Sequence, residues 1–200
     1  MNHRRIIGLT GGIATGKTTA SNYLANTYQL PILDADIYAR AAVQLGSPVL
    51  TQIKQRYGPT ILLPDETLDR RHLGEIVFKD PAERQWLEQQ IHPYVRDRMT
   101  TALHNLPPDQ TVVLAIPLLF EANLTHWVTE IWVVFCPENQ QIERLMQRDR
   151  LTLEQAQARI NSQMAMAQKV ARADVGLDNS TTAENLFSAI DAAYAKVANA

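Results

Sequence analysis

Four short apolar runs punctuate the chain, at residues 5–9, 31–34, 112–116 and 130–135. Runs of this kind suit the strands of a parallel sheet that is covered on both faces. A weaker fifth candidate lies at 173–177, where Gly176 lowers strand propensity. Helical patterns separate the runs, and the βα alternation predicts a doubly wound α/β fold. Roughly eighty residues separate the second run from the third, far more than a crossover helix needs. That stretch shows helical periodicity at 37–45, 49–57, 72–78 and 82–99 and little that resembles a strand. It reads as a helical insertion, and Pro107-Pro108-Asp109 marks its return to the core. Residues 139–171, rich in Gln, Arg and Ala and free of glycine, form a further helical segment between the last two strands.

One junction in this pattern carries chemistry. Directly behind the first apolar run stands GGIATGKT at 11–18, which fits G-x-x-x-x-G-K-[ST], and residues 18–27 continue as a helix. Gly11 and Gly16 permit backbone angles that turn successive N–H groups inward onto phosphate oxygens. The helix adds its positive N-terminal end. Lys17 is placed to reach the outer phosphates and the Thr18 hydroxyl to ligate magnesium. The motif is a phosphate-binding P-loop, and it implies a nucleoside triphosphate with Mg2+.

Asp34-Ala35-Asp36 closes the second predicted strand. Ligands of open α/β sheets lie at the carboxyl ends of strands, and phosphoryl transfer to an alcohol needs a carboxylate near the acceptor hydroxyl. The plainer alternative makes Asp36 the cap of the following helix. Arg144 and Arg148 share one helix face and could neutralise charge on a transferred phosphoryl group, or pair locally with Glu143 and Asp149. Arg70-Arg71 could meet acceptor phosphates or decorate a surface. His92 precedes a proline, which disfavours helical geometry and predicts a helix break there. Glu121, behind Pro117-Leu118-Leu119-Phe120, is a cleft or helix-start candidate. Trp86, Trp127 and Trp132 read as core residues.

Composition narrows the class. Hydrophobic residues make up 46% and charged ones 20%, an ordinary globular balance, and the formal net charge of −2 argues against a generic nucleic-acid footprint. The single cysteine, Cys136, excludes an intrachain disulfide and, within IWVVFC, reads as a buried structural thiol in a reducing compartment. The first strand begins almost at once, which leaves no room for a signal peptide, and no apolar run approaches a membrane span. The expectation is a cytoplasmic protein with small-molecule substrates and no obligatory protein partner.

Across nearly its whole length the chain resembles the dephospho-CoA kinase family. The segments that carry the likeness are IGLTGGIATGKTTA, ILDADIYAR, TLDRRHLGEIVF, IHPYVR, PLLFEANL, MQRDRLT, RINSQM and ADVGLDNS. Any P-loop kinase could share the first; the others are more specific in this order and spacing. The resemblance implies a P-loop nucleoside triphosphate hydrolase fold, with a five-stranded parallel sheet and helices on both faces. It implies a core of residues 1–36, 109–138 and 172–200, a helical acceptor domain at 37–108 and a mobile helical lid at 139–171. It also implies transfer of the ATP γ-phosphate to the ribose 3′-hydroxyl of dephospho-CoA, the last step of coenzyme A synthesis.

By position, the resemblance implies that Gly11, Gly12, Ala14, Thr15, Gly16, Lys17, Thr18 and Thr19 hold ATP. Asn179 falls near the base. Asp36 falls at the catalytic base and Asp34 near the metal and acceptor. Arg144 and Arg148 fall on the lid, and Arg70, His92 and Glu121 in segments lining the acceptor cleft. Three departures from the family pattern stand out. Ala14-Thr15 replaces a frequent Gly-Ser at variable, tolerant positions. Gly176 replaces an aliphatic residue. Thr181 replaces a glycine, which would strain a loop needing a positive backbone angle there. Rival readings are a P-loop kinase for a nucleoside monophosphate or sugar, and a non-catalytic nucleotide switch. The long insertion argues against the first. A guanine-reading N-K-x-D segment is missing, and Lys17 and the strand-tip acid are retained, which argues against the second.

Overall fold

A computed structural model describes residues 4–198. Two compact units emerge: one joins the residues up to Leu33 to those from Pro107 onward, and the other is Asp34–Leu106.

The first unit holds a five-stranded parallel sheet in the order β2-β3-β1-β4-β5. Its strands are β1 (Ile6–Gly11), β2 (Ile32–Asp34), β3 (Val112–Ala115), β4 (Glu130–Phe135) and β5 (Val175–Asp178). Each coincides with an apolar run in the sequence, within a residue or two at the ends. Central β1 is parallel to β3, through Ile7↔Val113, and to β4, through Leu9↔Trp132. Burial on both faces explains the unbroken apolar composition: β3 is buried at every position, and β1 from Ile7 onward. Ile7, Leu9, Val113, Trp132, Val134 and Leu177 pack on one face against Ala20 and Leu24 of α1 (Lys17–Tyr28) and Leu186 and Ile190 of α9 (Ala183–Ala198). Tyr23 stacks on Phe187 at 4.1 Å, and the hydroxyls of Tyr23 and Tyr28 both donate to Asp191. Burial together with the Asp191 carboxylate pushes the Tyr28 hydroxyl up to about 12.

The opposite face carries the β3–β4 connection and the segment after β4. A Cβ on Gly8 would meet Val128 and Leu119 at 2.9 and 3.2 Å, which explains the glycine. Residues 139–171, expected to be helical, form α6 (Glu138–Asp149), α7 (Leu153–Asn161) and α8 (Met166–Ala171). Thr152 and Gln155 close α7 with a reciprocal capping box. Trp132 is fully buried, as expected of a core residue.

The second unit is helical, with α2 (Ala35–Ala42), α3 (Pro48–Tyr57), α4 (Arg70–Lys79) and α5 (Pro81–His104). Ser47, Asp69 and Asp80 cap α3, α4 and α5 through their side chains, and Pro48 and Pro81 occupy first-turn positions. Val49, Leu50, Ile53, Ile61, Leu68 and Leu73 form its core, with Trp86, Leu87, Ile91 and Tyr94 of α5 against it. The helical unit departs from one expectation, at Pro93, and from one alternative, at Asp36. Pro93 does not break the helix at His92, because α5 continues through it for 24 residues. An interior proline costs on the order of 3 kcal/mol, and the apolar contacts of α5 on both sides of Pro93 offset it. The α2 cap is Asp34, whose carboxylate accepts the Asp36 N–H at 2.8 Å, so Asp36 sits inside the first turn rather than capping it.

Candidate active site

The phosphate cradle follows from how β1 ends. Gly11 still pairs with Val134 of β4, and a Cβ on Gly11 would stand 2.5 Å from the Val134 carbonyl oxygen. The chain then turns through Gly12–Gly16, where the Thr15 hydroxyl and N–H both return to the Gly12 carbonyl. Gly16 has φ 101°, a left-handed conformation, and passes directly into α1 with no side chain capping it and no acid in the first turn. First-turn amides without a capping side chain, at the positive end of a twelve-residue helix, form an anion site. Lys17 and Thr18 begin that helix.

Ala14 also lies in the left-handed region, at φ 60°. Its presence was expected to be tolerable because the position is variable. It is tolerated at a cost of roughly 1–2 kcal/mol for an L-residue there, a conformation that glycine would adopt without strain. Thr181 shows the reverse. It is not among the positive-φ residues, so the expected strain does not arise, and its hydroxyl accepts from the Asn185 amide at 2.8 Å.

Asn179, at the end of β5, is tied to this loop. Its side-chain amide donates to the Thr15 carbonyl at 2.8 Å, and its own carbonyl accepts from Arg144 at 3.0 Å. Half-buried Arg144 also donates to the Ala14 carbonyl and to Gln140. The guanidinium therefore fastens α6 to the P-loop and to the β5–α9 turn. Arg148, one turn on, is exposed and forks onto Asp149, which Arg159 also reaches. The hydrogen bond from Arg148 outweighs the opposing effect of burial and holds the Asp149 carboxyl below the usual range. Arg144 and Arg148 share a face, as the spacing predicts, but not their partners. Cys136 is buried, and burial pushes its thiol up against the counter-pull of Arg144, the opposite of nucleophile activation.

Glu121, in a segment that the resemblance places along the acceptor cleft, meets Lys169 at 2.8 Å and accepts the Met164 N–H at 2.9 Å. In the helical unit, Arg70 opens α4 and reaches the Arg40 carbonyl at 3.4 Å, whereas Arg71 pairs along its own helix with Glu75. His92 is exposed on α5. Asp36 is exposed in the first turn of α2, with its backbone fixed by Asp34.

A family model described as dephospho-CoA kinase matches residues 5–185. The chain belongs to the dephospho-CoA kinase family. A dephospho-CoA kinase from Trichormus variabilis is 60% identical over 190 residues, covering 95% of this chain and 96% of the relative. Among solved structures, a Thermus thermophilus protein superposes with TM-score 0.81 at 34% identity, covering 98% of both chains. The dephospho-CoA kinase from Campylobacter jejuni does so with TM-score 0.72 at 27% identity, covering 96% of both.

ATP with magnesium is the cofactor pair of the dephospho-CoA kinase family, and the residues present suit it. The cradle is built on glycines whose added Cβ atoms would collide with neighbouring protein groups, so only glycine lets the loop pack closely enough to keep this shape. Among the described residues no cluster of three or more His, Cys, Asp or Glu could cage a metal. Magnesium held mainly by phosphate oxygens and water, with the Thr18 hydroxyl, needs no such cage.

Three residues at the cradle had no role assigned from the sequence. Gln163 accepts the Ile13 N–H at 2.9 Å, while Gln141 and Met166 abut Gly12. Gln163 lies in RINSQM, a family-like segment, but nothing in its spacing announces a backbone contact 150 residues away.

Proposed function

We propose that the chain transfers the γ-phosphoryl group of ATP to the ribose 3′-hydroxyl of dephospho-CoA, yielding coenzyme A and ADP as the last step of CoA biosynthesis. The observation that carries this reading is the family match over residues 5–185, which spans both units and includes an intact phosphate cradle.

The inward amides and the first turn of α1 bind the donor phosphates, and Lys17 follows the γ-phosphoryl group, neutralising charge as it departs. Magnesium would supply further charge neutralisation on the phosphate oxygens, and the Thr18 hydroxyl would hold it. Asp36 is the base that accepts the proton of the attacking hydroxyl. The Asp34 cap fixes the backbone that carries it, which aligns the carboxylate without spending it on the helix end. Arg70 and His92 hold the acceptor within the helical domain at 37–108. Arg144 orders the base-side wall next to Asn179. Arg148 becomes a phosphate ligand on the lid at 139–171 only by leaving Asp149, so its contribution is coupled to closure.

Both substrates are small molecules. No helix among the described residues is long and apolar enough to cross a membrane, and a cytoplasmic location without a nucleic-acid partner belongs to the proposal. Incubation with Mg-ATP and a panel of dephospho-CoA, nucleoside monophosphates and sugars tests the reading. Coenzyme A as the product is expected. Phosphorylation of another acceptor, with dephospho-CoA untouched, overturns it.

A further inference from the structure

Lys169 is fully buried. Such an ammonium is tolerated only where partners replace its water, and here they are Glu121 at 2.8 Å and the Pro117 carbonyl at 3.2 Å. Both belong to the segment that follows β3, and the Pro117 carbonyl also accepts the hydroxyl of Thr10, the residue just before the P-loop. The Glu121 oxygen that meets Lys169 accepts the Met164 N–H as well. Burial alone would raise the Glu121 carboxyl, but hydrogen bonds from Lys169 and Met164 outweigh it and lower it. The pair therefore ties the turn between α7 and α8, at Met164, and α8 itself, at Lys169, to the segment after β3.

That turn touches the cradle. Gln163, one residue before Met164, accepts the Ile13 N–H at 2.9 Å. Met166, two residues beyond, lies so close to Gly12 that a Cβ there would approach its Cε to 2.5 Å. Ile13 is the third residue of GGIATGKT, in the part of the loop that must hold its shape for the following amides to face phosphate. An ion pair that takes one charge out of water adds little net stability, and fixing geometry is its better attested use. The position of Gln163 is such a geometry.

We propose that Gln163 is a positioning residue for the donor phosphates, and that the ion pair between Glu121 and the buried Lys169 acts on nucleotide binding through it. The assignment rests on the donor half of the proposed function and extends it to three residues outside the P-loop motif. Glu121 thereby belongs to the donor site rather than to the acceptor.

The test is a cycle of Gln163→Ala, Glu121→Gln and the double variant, read by two measurements that need no acceptor. One is equilibrium binding of Mg2+ with a non-hydrolysable ATP analogue. The other is hydrogen exchange at the Ile13 amide, with the Thr15 amide, which bonds within the loop, as control. Gln163→Ala is expected to weaken binding about fivefold to tenfold, the effect of one hydrogen bond, and to speed Ile13 exchange while Thr15 changes less. Glu121→Gln shifts both readouts in the same direction, and the double variant is no worse than Gln163→Ala. Gln163→Glu restores an acceptor and hence Ile13 protection, yet does not restore affinity, because its charge opposes the phosphates. Should Glu121→Gln fold poorly, Glu121→Gln with Lys169→Met removes both charges and takes its place in the cycle. Effects that multiply in the double variant, or Ile13 exchange unchanged by Gln163→Ala, overturn the proposal. Failure of the acceptor assignment shows separately, as a parent protein that binds the analogue normally and makes no coenzyme A.

Discussion

Gly16→Ala attacks the cradle at its tightest point. At φ 101° an L side chain is strained by roughly 1–2 kcal/mol. The new Cβ would also stand 2.1 Å from the Asn179 side-chain nitrogen, which donates to the carbonyl of fully buried Thr15. Moving that amide removes the hydrogen bond to a buried carbonyl, a loss of about 1–3 kcal/mol. The expected destabilisation is about 2–5 kcal/mol, concentrated at the loop, with a matching loss of affinity for Mg-ATP. Asn179→Ala alone forfeits the same hydrogen bond without the strain. In the double variant that bond is lost once, so the two effects fall short of their sum by about 1–3 kcal/mol. Denaturant unfolding of the four proteins, alongside ATP-analogue binding, measures the cycle. A Gly16→Ala protein within about 0.5 kcal/mol of the parent, or strict additivity with Asn179→Ala, would refute the reasoning.

Asp36→Asn is expected to keep ATP binding and lose on the order of 10²–10⁴-fold in kcat, and near-normal turnover would remove Asp36 as the base. Lys17→Ala should lower kcat by roughly 10²–10³-fold and weaken nucleotide binding; unchanged turnover at saturating ATP would count against contact with the transferred group. In the helical unit, hydrogen bonds from Arg56 and Tyr57 hold the Glu83 carboxyl down at about 2, against an ordinary value of 4.5. A depressed folded-state value makes its contribution complete above about 4.5 and progressively lost as the pH falls towards about 2. Glu83→Gln should therefore flatten the acid limb of the unfolding profile in that window, and an identical profile would contradict the assignment.

The sheet was legible because parallel strands buried on both faces must be apolar throughout, and runs such as IIGL and IWVVF leave no other economical reading. The P-loop was legible because its residue types are dictated by backbone angles and collisions, seen directly at Gly11 and Gly16. Local sequence could not tell which of two neighbouring aspartates caps a helix, since either can; the Asp34 carboxylate took the Asp36 amide. Nor could it foresee that α5 would carry Pro93 in its interior, because packing of Ile91 and Tyr94 decided the matter, not propensity. Lys169 and Gln163 lay furthest from view. A lone lysine is almost always solvated, and only the tertiary fold brings Glu121 to it and Ile13 to Gln163. Arg148 was read as a phosphate ligand from its place on a helix face, yet its neighbour Asp149 occupies it in this structure.

The most direct test of the account joins the P-loop donor to one particular hydroxyl. Purified protein is mixed with Mg-ATP and dephospho-CoA, and the product is followed by phosphorus NMR and mass spectrometry. A new phosphomonoester at the ribose 3′ position, formed in step with ADP and abolished in Lys17→Ala, is the predicted result. ADP released without that ester, or a phosphate delivered to any other position, would contradict the account.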